Sequence, residues 1–543
     1  MITNVIDLLK NRVFRSRGQY VFYGMLAFFV AYGVIFIMKA SFLYQGTRYF
    51  SLFDDAMISM QYAKNLANGS GLIWDLPGIR VEGYTNFLWT IYMAFWHMLP
   101  ISAAKMALPI QISGLSFLVG SLFLVRKIAD FISGGNAYVS LGAVLLTASY
   151  LPINFWALRG METSVLGFIL LLAAWRFLKG LESGRFDPSI FVILGVGMLT
   201  RADFVYLFVA IIAFAVAVDP KNRKKNFLAA AFVFLLVVGG HTLFRWAYYG
   251  EMLPNTCYLK MAGVSTFLRV QRGLWVAAEF IKVLSPLWFL LPFVCGVLYR
   301  KNTKVLFLLY VFGAQLAYSI YVGGDAWEWW GHLANRYLCL VMPMFFILSL
   351  LAIHYFAEKM NEFLNKNALG HLRPREICFA IVLPLMIFQM HGGWSDLSTI
   401  PQLLGFTGIH VEDDKNMVRA GLKLKDITTP NATIALVWAG NLPYFADRHY
   451  IDLLGKTDAH IAHLPARVST YKDFLPGHNK YDYAYSIGKL QPDIVAQLWR
   501  DSQEAIPWLY KNYSRVKVNE LFMMFRRDSR NIYWGKEGRD FSS

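Results

Sequence analysis

Long apolar runs separated by short polar segments dominate the first 391 residues of the chain. A helix needs about 20 apolar residues to cross a hydrocarbon core of roughly 30 Å. The pattern predicts membrane helices near 20–41, 105–125, 137–156, 163–178, 227–246, 275–298, 304–322, 337–357 and 376–391. The apolar stretch 188–218 is broken by Arg201 and Asp203, which predicts two shorter helices that meet at the membrane surface. Together these segments predict about eleven crossings.

The distribution of Lys and Arg orients these helices, because cytoplasmic loops carry the excess of positive charge. Basic clusters predict cytoplasmic loops near 126–127, 176–185, 221–225, 300–304 and 359–375. The outer loops then lie at about 42–84, 157–162, 201–203, 247–270 and 323–336. This alternation requires that 85–103 is a short re-entrant or interfacial piece. The N-terminus is expected in the cytoplasm and the C-terminus outside it.

The composition changes from about residue 392 onward, where polar residues and turn signals return. The segments 432–437 and 494–496 have the apolar and β-branched character of short strands. We therefore predict a transmembrane domain over 1–391, with a long first outer loop at 42–84, and a small α/β domain over 392–543.

The composition supports a membrane protein and indicates which classes of partner it binds. Hydrophobic residues make up 56% of the 543 residues, and charged residues only 16%. A net charge of +17 would suggest nucleic acid in a soluble protein, but here it fits basic loops that face anionic lipid. We therefore expect membrane lipids as partners and no nucleic acid. Four well-separated cysteines form neither a disulfide framework nor a zinc pattern.

The outer loops carry the unusual polar residues, each of which also has a structural interpretation. Either carboxylate of the pair Asp54-Asp55 can be a helix N-cap, although two adjacent carboxylates also repel and suit a general base. Arg201 can simply pair with Asp203, and the tryptophans from Trp327 onward can form an interfacial belt. The other candidates in or beside these loops are Glu82, Tyr84, Asn86, Arg159, Glu162, His241, Asn255, Lys260, Asp325 and Arg336.

Several of these residues stand in blocks that follow one another in a distinctive order. The blocks are Asp54-Asp55, Val81-Glu82-Gly83-Tyr84-Thr85-Asn86, Gly160-Met161-Glu162-Thr163, Thr200-Arg201-Ala202-Asp203, Gly323-Gly324-Asp325 and Asp452-Leu453-Leu454-Gly455-Lys456-Thr457-Asp458. Through them nearly the whole chain resembles the GT-C glycosyltransferase superfamily. Within it the chain is similar to the arabinofuranosyltransferases of the mycobacterial cell wall and of Pseudomonas type IV pilin. Ala202 stands where this family usually has Pro, which leaves the geometry of that turn open.

The resemblance implies a fold, a reaction and a location. It implies a mainly α polytopic GT-C fold with a C-terminal α/β periplasmic domain, in the bacterial inner membrane. It implies a pentosyltransferase that moves D-arabinofuranose from decaprenyl or undecaprenyl phosphate, without nucleotide sugars, to an acceptor hydroxyl of pilin or of a glycan. It also implies that Asp54 contacts this hydroxyl, with Asp55 beside it.

The chemistry of such a transfer assigns roles to the remaining candidates. A lipid-phosphate leaving group needs charge stabilisation, which points to Arg201, Arg336 and Lys260, with His241 and Arg159 as further candidates. The acceptor hydroxyl needs a base, the role expected for Asp54. Sugar or acceptor contacts are expected from Glu82, Tyr84, Asn86, Glu162, Asp203, Asn255, Asp325 and Trp327. Cationic side chains can replace a metal ion, so no cofactor is required, although the Asp-Asp pair could hold a divalent cation.

Two alternative functions fit parts of the same pattern. An envelope-glycan or lipid A glycosyltransferase would share the fold and differ only in its substrates. A transporter of lipid-linked sugar, from another class of protein, would be expected to show repeated halves with broken helices. The chain has no internal repeat, and its polar blocks lie in outer loops, which favours a transferase.

Overall fold

The computed structural model describes residues 2–75, 80–327, 335–366, 374–392, 404–405 and 410–534, with the backbone only over 2–17. In the membrane part and its loops, helices lie at Ile2–Ala40, Asp54–Ala67, Phe87–His97, Ala107–Ser133, Ala137–Ser149, Leu151–Leu158, Thr163–Ser183, Ser189–Thr200, Val205–Val218, Arg223–Phe234, Gly240–Tyr249, Asn255–Met261, Thr266–Leu284, Pro286–Leu298, Thr303–Val322, Arg336–Cys339, Met342–Lys366 and Pro374–Gly392. Each of the predicted crossings therefore falls on helical chain.

Six of the described helices are long and apolar enough to cross a membrane, or up to eight spans if each of two bent helix pairs is one span. The bent pairs are Ala137–Ser149 with Leu151–Leu158, and Thr266–Leu284 with Pro286–Leu298. Two further apolar helices, at Ser189–Thr200 and Ala202–Val218, are shorter. The count of eleven crossings stays a prediction.

The predicted short piece at 85–103 contains the helix Phe87–His97. Its 11 residues rise about 16 Å, roughly half of a hydrocarbon core. The helix packs against Asp54–Ala67 in the first outer loop, and Trp89 Nε1 donates to the carbonyl oxygen of Gly160 at 2.9 Å. It therefore supports the loop that carries the Asp-Asp pair.

The first outer loop begins with a hairpin of β1 (Phe42–Tyr44) and β2 (Thr47–Tyr49) and continues into the helix Asp54–Ala67. The N-cap of this helix is Phe53, whose side chain makes no capping bond, so neither aspartate is the N-cap. Asp54 and Asp55 occupy the first helical turn instead, where the helix dipole favours negative charge.

The C-terminal domain contains a five-stranded mixed sheet. Its strands are β3 (Thr433–Leu436), β4 (His449–Asp452), β5 (Ile494–Val495), β6 (Tyr513–Val518) and β7 (Leu521–Arg526), in the order β4-β3-β5-β7-β6. The pairs β4-β3 and β3-β5 are parallel, and the pairs β5-β7 and β7-β6 are antiparallel. The predicted strands at 432–437 and 494–496 coincide with β3 and β5. Helices lie at Val411–Ile427, Asn441–Ala446, Ala459–His463 and Ile506–Asn512.

The sheet is joined to the first outer loop by a shared apolar core. Tyr62, Trp74 and Tyr84 from the first outer loop pack in one buried cluster with Leu436 of β3 and Phe525 of β7. Because burial of apolar surface stabilises the side chains from both parts together, the sheet is held in one orientation above the first outer loop. The predicted boundary between residues 391 and 392 stays a prediction.

Candidate functional site

The C-terminal ends of β3, β4 and β5 face the first turn of the helix Asp54–Ala67. Parallel strands end at one edge of a sheet, and the loops that follow them commonly build a ligand site. The loop after β3 carries Trp438, the loop after β4 carries Lys456, and the loop after β5 carries Trp499. All three line cavities that also contain Asp54 or Asp55.

Asp54 is buried, with 2% of its surface exposed, and is held from the C-terminal domain. Its Oδ1 accepts the backbone N–H groups of Gly440 at 3.2 Å and Asn441 at 2.8 Å. Oδ2 accepts no hydrogen bond from the described part of the chain, and Asp54 lines a cavity. Burial raises the pKa of Asp54 to about 6, against the opposing effect of Lys456. A carboxylate with this pKa can accept a proton near neutral pH.

The close approach of Gly440 to Asp54 leaves no room for a side chain. A Cβ at Gly440 would lie 1.9 Å from the carbonyl oxygen of Asp54. We expect Gly440→Ala to displace the two N–H donors and to cost about 1–3 kcal/mol of stability, seen as a lower thermal unfolding midpoint. Gly313→Ala is the matched control, because a Cβ there meets nothing within 4 Å. Equal midpoints for the two variants would contradict this interpretation.

Asp55 lies between two cations. Its Oδ1 accepts from Lys456 Nζ at 3.1 Å, and its Oδ2 accepts from Arg336 Nη1 at 3.1 Å. Asp325, which is buried, holds Arg336 in turn through Nε at 2.8 Å and Nη2 at 2.9 Å. Burial opposes ionisation of Asp55, but Lys456 and Arg336 outweigh it and hold its pKa well below the usual range. Asp55 is therefore a fixed negative charge and a weak base.

A second charged network surrounds Arg201. Its Nη1 donates to Glu162 Oε1 in a short contact, and its Nε donates to Asp203 Oδ1 at 2.7 Å. Asn86 Nδ2 donates to the other oxygen of Glu162 at 3.0 Å. The expected pairing of Arg201 with Asp203 is present, and Ala202 does not prevent it. Because Glu162 and Asp203 accept from two different nitrogens of the guanidinium, its position is fixed.

Lys260 differs from these cations because it makes no ion pair or hydrogen bond with any described residue. Burial and the nearby guanidinium groups of Arg201 and Arg336 together lower the pKa of Lys260 to about 8, against the opposing effect of Asp325 and Asp55. A partly buried ammonium without an ion-pair partner is unfavourable unless a ligand supplies one. The arrangement is therefore suited to an anion bound at Lys260.

Three adjoining cavities run through the site. The aromatic cavity has a volume of about 320 Å³ and is lined by Asp54, Asp55, Ala326, Trp327, Val437, Trp438, Lys456, Leu475, His478, Trp499 and Arg500. The central cavity, of about 80 Å³, shares Asp55, Lys456 and His478 with it and also contains Lys260, Arg201 and Arg336. The membrane groove, of about 350 Å³, shares Lys260 and Arg201 with the central cavity. The carboxylates and the cations thus lie along one continuous path.

The membrane groove is mostly apolar, and membrane helices form its walls. Val237 and Val238 line it from a π-helical turn at Leu235–Gly239, a distortion that is frequent at functional sites. His241 and Arg245 line it from the next turn, and both are more than nine-tenths buried. Arg245 Nη2 and His241 Nε2 have no hydrogen-bond partner among the described residues. The groove therefore combines an apolar wall with buried donors at one end.

Most of the candidates from the sequence line these cavities. They are Asp54, Asp55, Tyr84, Asn86, Glu162, Arg201, Asp203, His241, Lys260, Trp327 and Arg336. Three others hold neighbours in place. Glu82 accepts from Arg245 Nε at 2.7 Å, and Asn255 Nδ2 donates to the carbonyl oxygen of Lys456 at 3.0 Å. Asp325 accepts from Arg336, as described above, and so holds its guanidinium in place.

Arg159 does not lie in these cavities. It is fully buried, donates to the carbonyl oxygens of Ser51 and Leu52 at 3.0 Å each, and forms a short ion pair with Asp414. Its guanidinium is therefore engaged by protein groups and links the first outer loop to the C-terminal domain. This differs from the expected phosphate-binding role, because sequence spacing does not show which carboxylate a cation meets.

This structural role of Arg159 gives a stability prediction. Arg159→Met leaves Asp414 buried without its partner, which we expect to cost about 3–5 kcal/mol and to lower the thermal unfolding midpoint. The double variant Arg159→Met/Asp414→Asn removes the unpaired charge and is expected to recover part of the loss. A double variant no more stable than Arg159→Met would contradict the assignment.

Several lining residues were not among the candidates from the sequence. Lys456 stands inside the block Asp452 to Asp458, which contributes to the family resemblance but does not single out any one of its residues. Trp438, His478 and Trp499 follow strands or turns of the C-terminal domain and carry no motif around them. Trp438 and Trp499 stand just after β3 and β5. A prediction that these strands pair in parallel would have placed both residues at the same edge of the sheet, where ligand sites commonly form.

Protein donors engage three of the four carboxylate oxygens of Asp54 and Asp55. Both oxygens of Asp55 face a cationic side chain, and Oδ1 of Asp54 accepts two N–H groups. Among the residues that the structure describes, no group of three or more His, Cys, Asp or Glu side chains converges to hold a metal ion.

Comparisons with known proteins connect this fold to solved structures. Residues 407–534 match a family described as a domain of unknown function, DUF8728. No curated protein matches the chain significantly. The solved structures that are similar include ArnT from Cupriavidus metallidurans bound to undecaprenyl phosphate, with a TM-score of 0.54 and 11% identity over 92% of this chain and 98% of that one.

Another similar structure is the Archaeoglobus fulgidus oligosaccharyltransferase tethered to an acceptor peptide. Its TM-score is 0.52 and its identity 12%, over 93% of this chain and 74% of that one. The archaeal oligosaccharyltransferase AglB from Archaeoglobus fulgidus, in complex with an inhibitory peptide and a dolichol-phosphate, gives a TM-score of 0.50 and 12% identity over 94% of this chain and 74% of that one. These structures have the GT-C fold, so the fold class expected from the sequence is confirmed. At such identities the likeness shows the fold alone.

Proposed function

We propose that this protein is a membrane glycosyltransferase that moves a sugar from a polyprenyl-phosphate carrier to an acceptor hydroxyl on the outer face of the bacterial inner membrane. The observation that carries the proposal is Lys260. This ammonium makes no ion pair or hydrogen bond with any described residue and lies where an apolar groove between membrane helices meets the cavity that contains Asp55. A lipid phosphate supplies the missing negative charge, and its chain occupies the groove.

The reaction assigned to this site is a displacement at the anomeric carbon. The bond between that carbon and the phosphate oxygen breaks, and a bond to the acceptor oxygen forms. The acceptor proton passes to Asp54, and the carrier leaves as polyprenyl phosphate with the bonding electron pair. Lys260, Arg201 and Arg336 stabilise the negative charge that develops on the leaving phosphate.

The environments of the two aspartates separate their roles. Asp54 has a raised pKa and an oxygen free of protein hydrogen bonds, which suits a base. Asp55 is paired with Lys456 and Arg336, so it orients these cations and can accept a hydrogen bond from a sugar hydroxyl. Pairs of carboxylates whose surroundings push their pKa values apart are typical of acid–base sites.

The assignment of a particular sugar and a particular acceptor rests on the sequence blocks. The order of Asp54-Asp55 and the Val81 to Asn86 block supports D-arabinofuranose as the sugar, and type IV pilin or a glycan on it as the acceptor. ArnT and the archaeal oligosaccharyltransferase, which share the fold, were each solved with a polyprenyl-type phosphate. This supports a carrier of the same chemistry for the present chain.

Purified full-length protein in lipid nanodiscs tests the proposal directly. It is incubated with radiolabelled decaprenyl-phosphate pentose or hexose and with pilin or a saccharide acceptor. We expect label to leave the carrier and appear on the acceptor, with the pentose preferred. Preference for a hexose would overturn the arabinofuranose assignment. Movement of intact carrier across the bilayer without sugar transfer would instead identify a transporter.

Transfer without a metal ion is a separate prediction. Because cationic side chains stand beside the carboxylates, we expect the rate to be unchanged in excess EDTA. The measurement is the initial rate with and without chelator after dialysis against it. A loss of rate that Mn²⁺ or Mg²⁺ restores would show that the site uses a divalent cation.

A further inference from the structure

The aromatic cavity has walls built mainly by the C-terminal domain. Trp438 and Trp499 follow β3 and β5, His478 lies on the loop between β4 and β5, and Trp327 comes from the last outer loop. The ring planes of Trp327 and Trp438 meet at 56° with centroids 6.3 Å apart, and those of His478 and Trp499 meet at 39° at 5.6 Å. Neither pair stacks in parallel, and all four rings line the cavity.

Hydrogen bonds fix the orientation of these rings. Trp499 Nε1 donates to the carbonyl oxygen of His478 at 2.9 Å, and Trp327 Nε1 approaches Asp55 Oδ2 at 3.4 Å. The backbone N–H of Trp438 donates to Gln497 at 2.9 Å. A wall whose rings are already fixed loses little conformational freedom when a ligand binds, which favours binding.

The cavity also has charged and polar lining residues. They are Asp54, Asp55, Lys456, His478 and Arg500. His478 Nδ1 contacts the carbonyl oxygen of Pro476 at 3.0 Å, so this nitrogen carries the proton. Burial lowers the pKa of His478 to about 3, and Lys456 acts in the same direction. Neutral His478 therefore presents Nε2 as an acceptor, and no described residue donates to it.

We infer that the aromatic cavity is the acceptor subsite and that it takes a neutral saccharide, so that the C-terminal domain selects an acceptor sugar rather than a serine or threonine of a peptide. The inference rests on the proposed function and names the acceptor class for the same site. In it Trp438 and Trp499 bind the sugar faces, and Nε2 of His478 accepts a hydrogen bond from a hydroxyl near the attacking one.

A saccharide fits these walls better than a peptide for two reasons. The C–H bonds on a sugar face are polarised by the neighbouring oxygens and lie well against the negative face of an aromatic ring. A peptide segment would instead require partners for its backbone N–H and C=O groups. Beside Asp54, Asp55, Lys456, His478 and Arg500, the side chains that line the cavity are apolar or aromatic, so they offer few such partners. The volume of about 320 Å³ also suits a small ligand.

Acceptor kinetics test the inference with the full-length protein. The acceptors are short neutral oligosaccharides of pentoses and of hexoses, and a peptide that contains serine and threonine. We expect transfer to a saccharide, with KM for it raised about tenfold in Trp438→Ala and Trp499→Ala. The KM for the lipid donor should change far less in both variants, because the donor is expected to bind at Lys260 and the membrane groove. Trp534→Ala, in the same domain but outside the cavity, is the control.

Two results would overturn the inference: a better kcat/KM for the peptide than for every saccharide, or an equal rise of the donor KM and the saccharide KM in the tryptophan variants. Calorimetric titration of the saccharides without donor separates this inference from the proposed function. We expect binding that Trp438→Ala weakens and Trp438→Phe partly restores. If no saccharide binds, the acceptor inference fails even where sugar transfer is found. If saccharide binds and no donor is consumed, the proposed function fails.

Discussion

Replacing Asp54 by asparagine is expected to abolish sugar transfer while leaving the protein folded. Oδ1 of asparagine can still accept the N–H groups of Gly440 and Asn441, so the contact with the C-terminal domain survives. Only the ability to take a proton is lost. A positioned base contributes about 10²–10⁴-fold to a rate, and we expect a loss of kcat in that range, measured by transfer of label from the carrier.

The pH profile provides an independent measurement of the same role. A base acts only when it is deprotonated, and burial raises the pKa of Asp54 to about 6. The kcat/KM of the wild type should therefore rise with pH through about 6 and then level off, while the residual rate of Asp54→Asn should lack this limb. Asp130→Asn, the same chemical change at an exposed ion pair with Arg126, is the control and should behave as wild type. Turnover of Asp54→Asn near the wild-type rate would remove Asp54 from the base role.

Replacing Lys260 by methionine is expected to weaken binding of the lipid phosphate and to stabilise the protein that has none bound. A hydrogen bond from a charged donor contributes about 1.5–3 kcal/mol, so we expect inhibition by undecaprenyl phosphate to weaken by about 10- to 150-fold. The expected stabilisation of the ligand-free protein follows from the burial of an ammonium that has no ion-pair partner among the described residues. Its pKa of about 8 in the folded protein, below that of the unfolded chain, means that folding is penalised at neutral pH and that the penalty declines above pH 8.

Thermal unfolding in detergent measures both effects of Lys260→Met. Without ligand, the variant should unfold at the same temperature as the wild type or higher. Added undecaprenyl phosphate should raise the midpoint of the wild type and have little effect on the variant. Lys282→Met removes an exposed lysine and should retain the ligand effect, and Lys260→Arg should retain part of it. A variant that is destabilised without ligand and still responds to it would assign Lys260 a structural role.

The pattern of apolar runs and basic clusters was sufficient to predict the helices and which loops share a side. Loops assigned to the outer side meet in one site, where Asp55, Arg201, Lys260 and Arg336 line a single cavity. Loops assigned to the cytoplasmic side also meet, as Lys304 and Glu182 do at 3.0 Å. Hydrophobic length and charge asymmetry act locally along the chain, so a sequence records them directly.

The sequence by itself thus determined the helical membrane part, two strands of the C-terminal sheet and most of the charged residues of the site. Only the tertiary structure decided what each charge meets. Arg159 is paired with Asp414, Asp55 lies between Lys456 and Arg336, and Lys260 makes no ion pair with any described residue. A charge is read from one position, but its partner lies far along the chain, and burial and pairing depend on how distant segments pack. For the same reason, the aromatic cavity forms only where the ends of the parallel strands meet the outer loops.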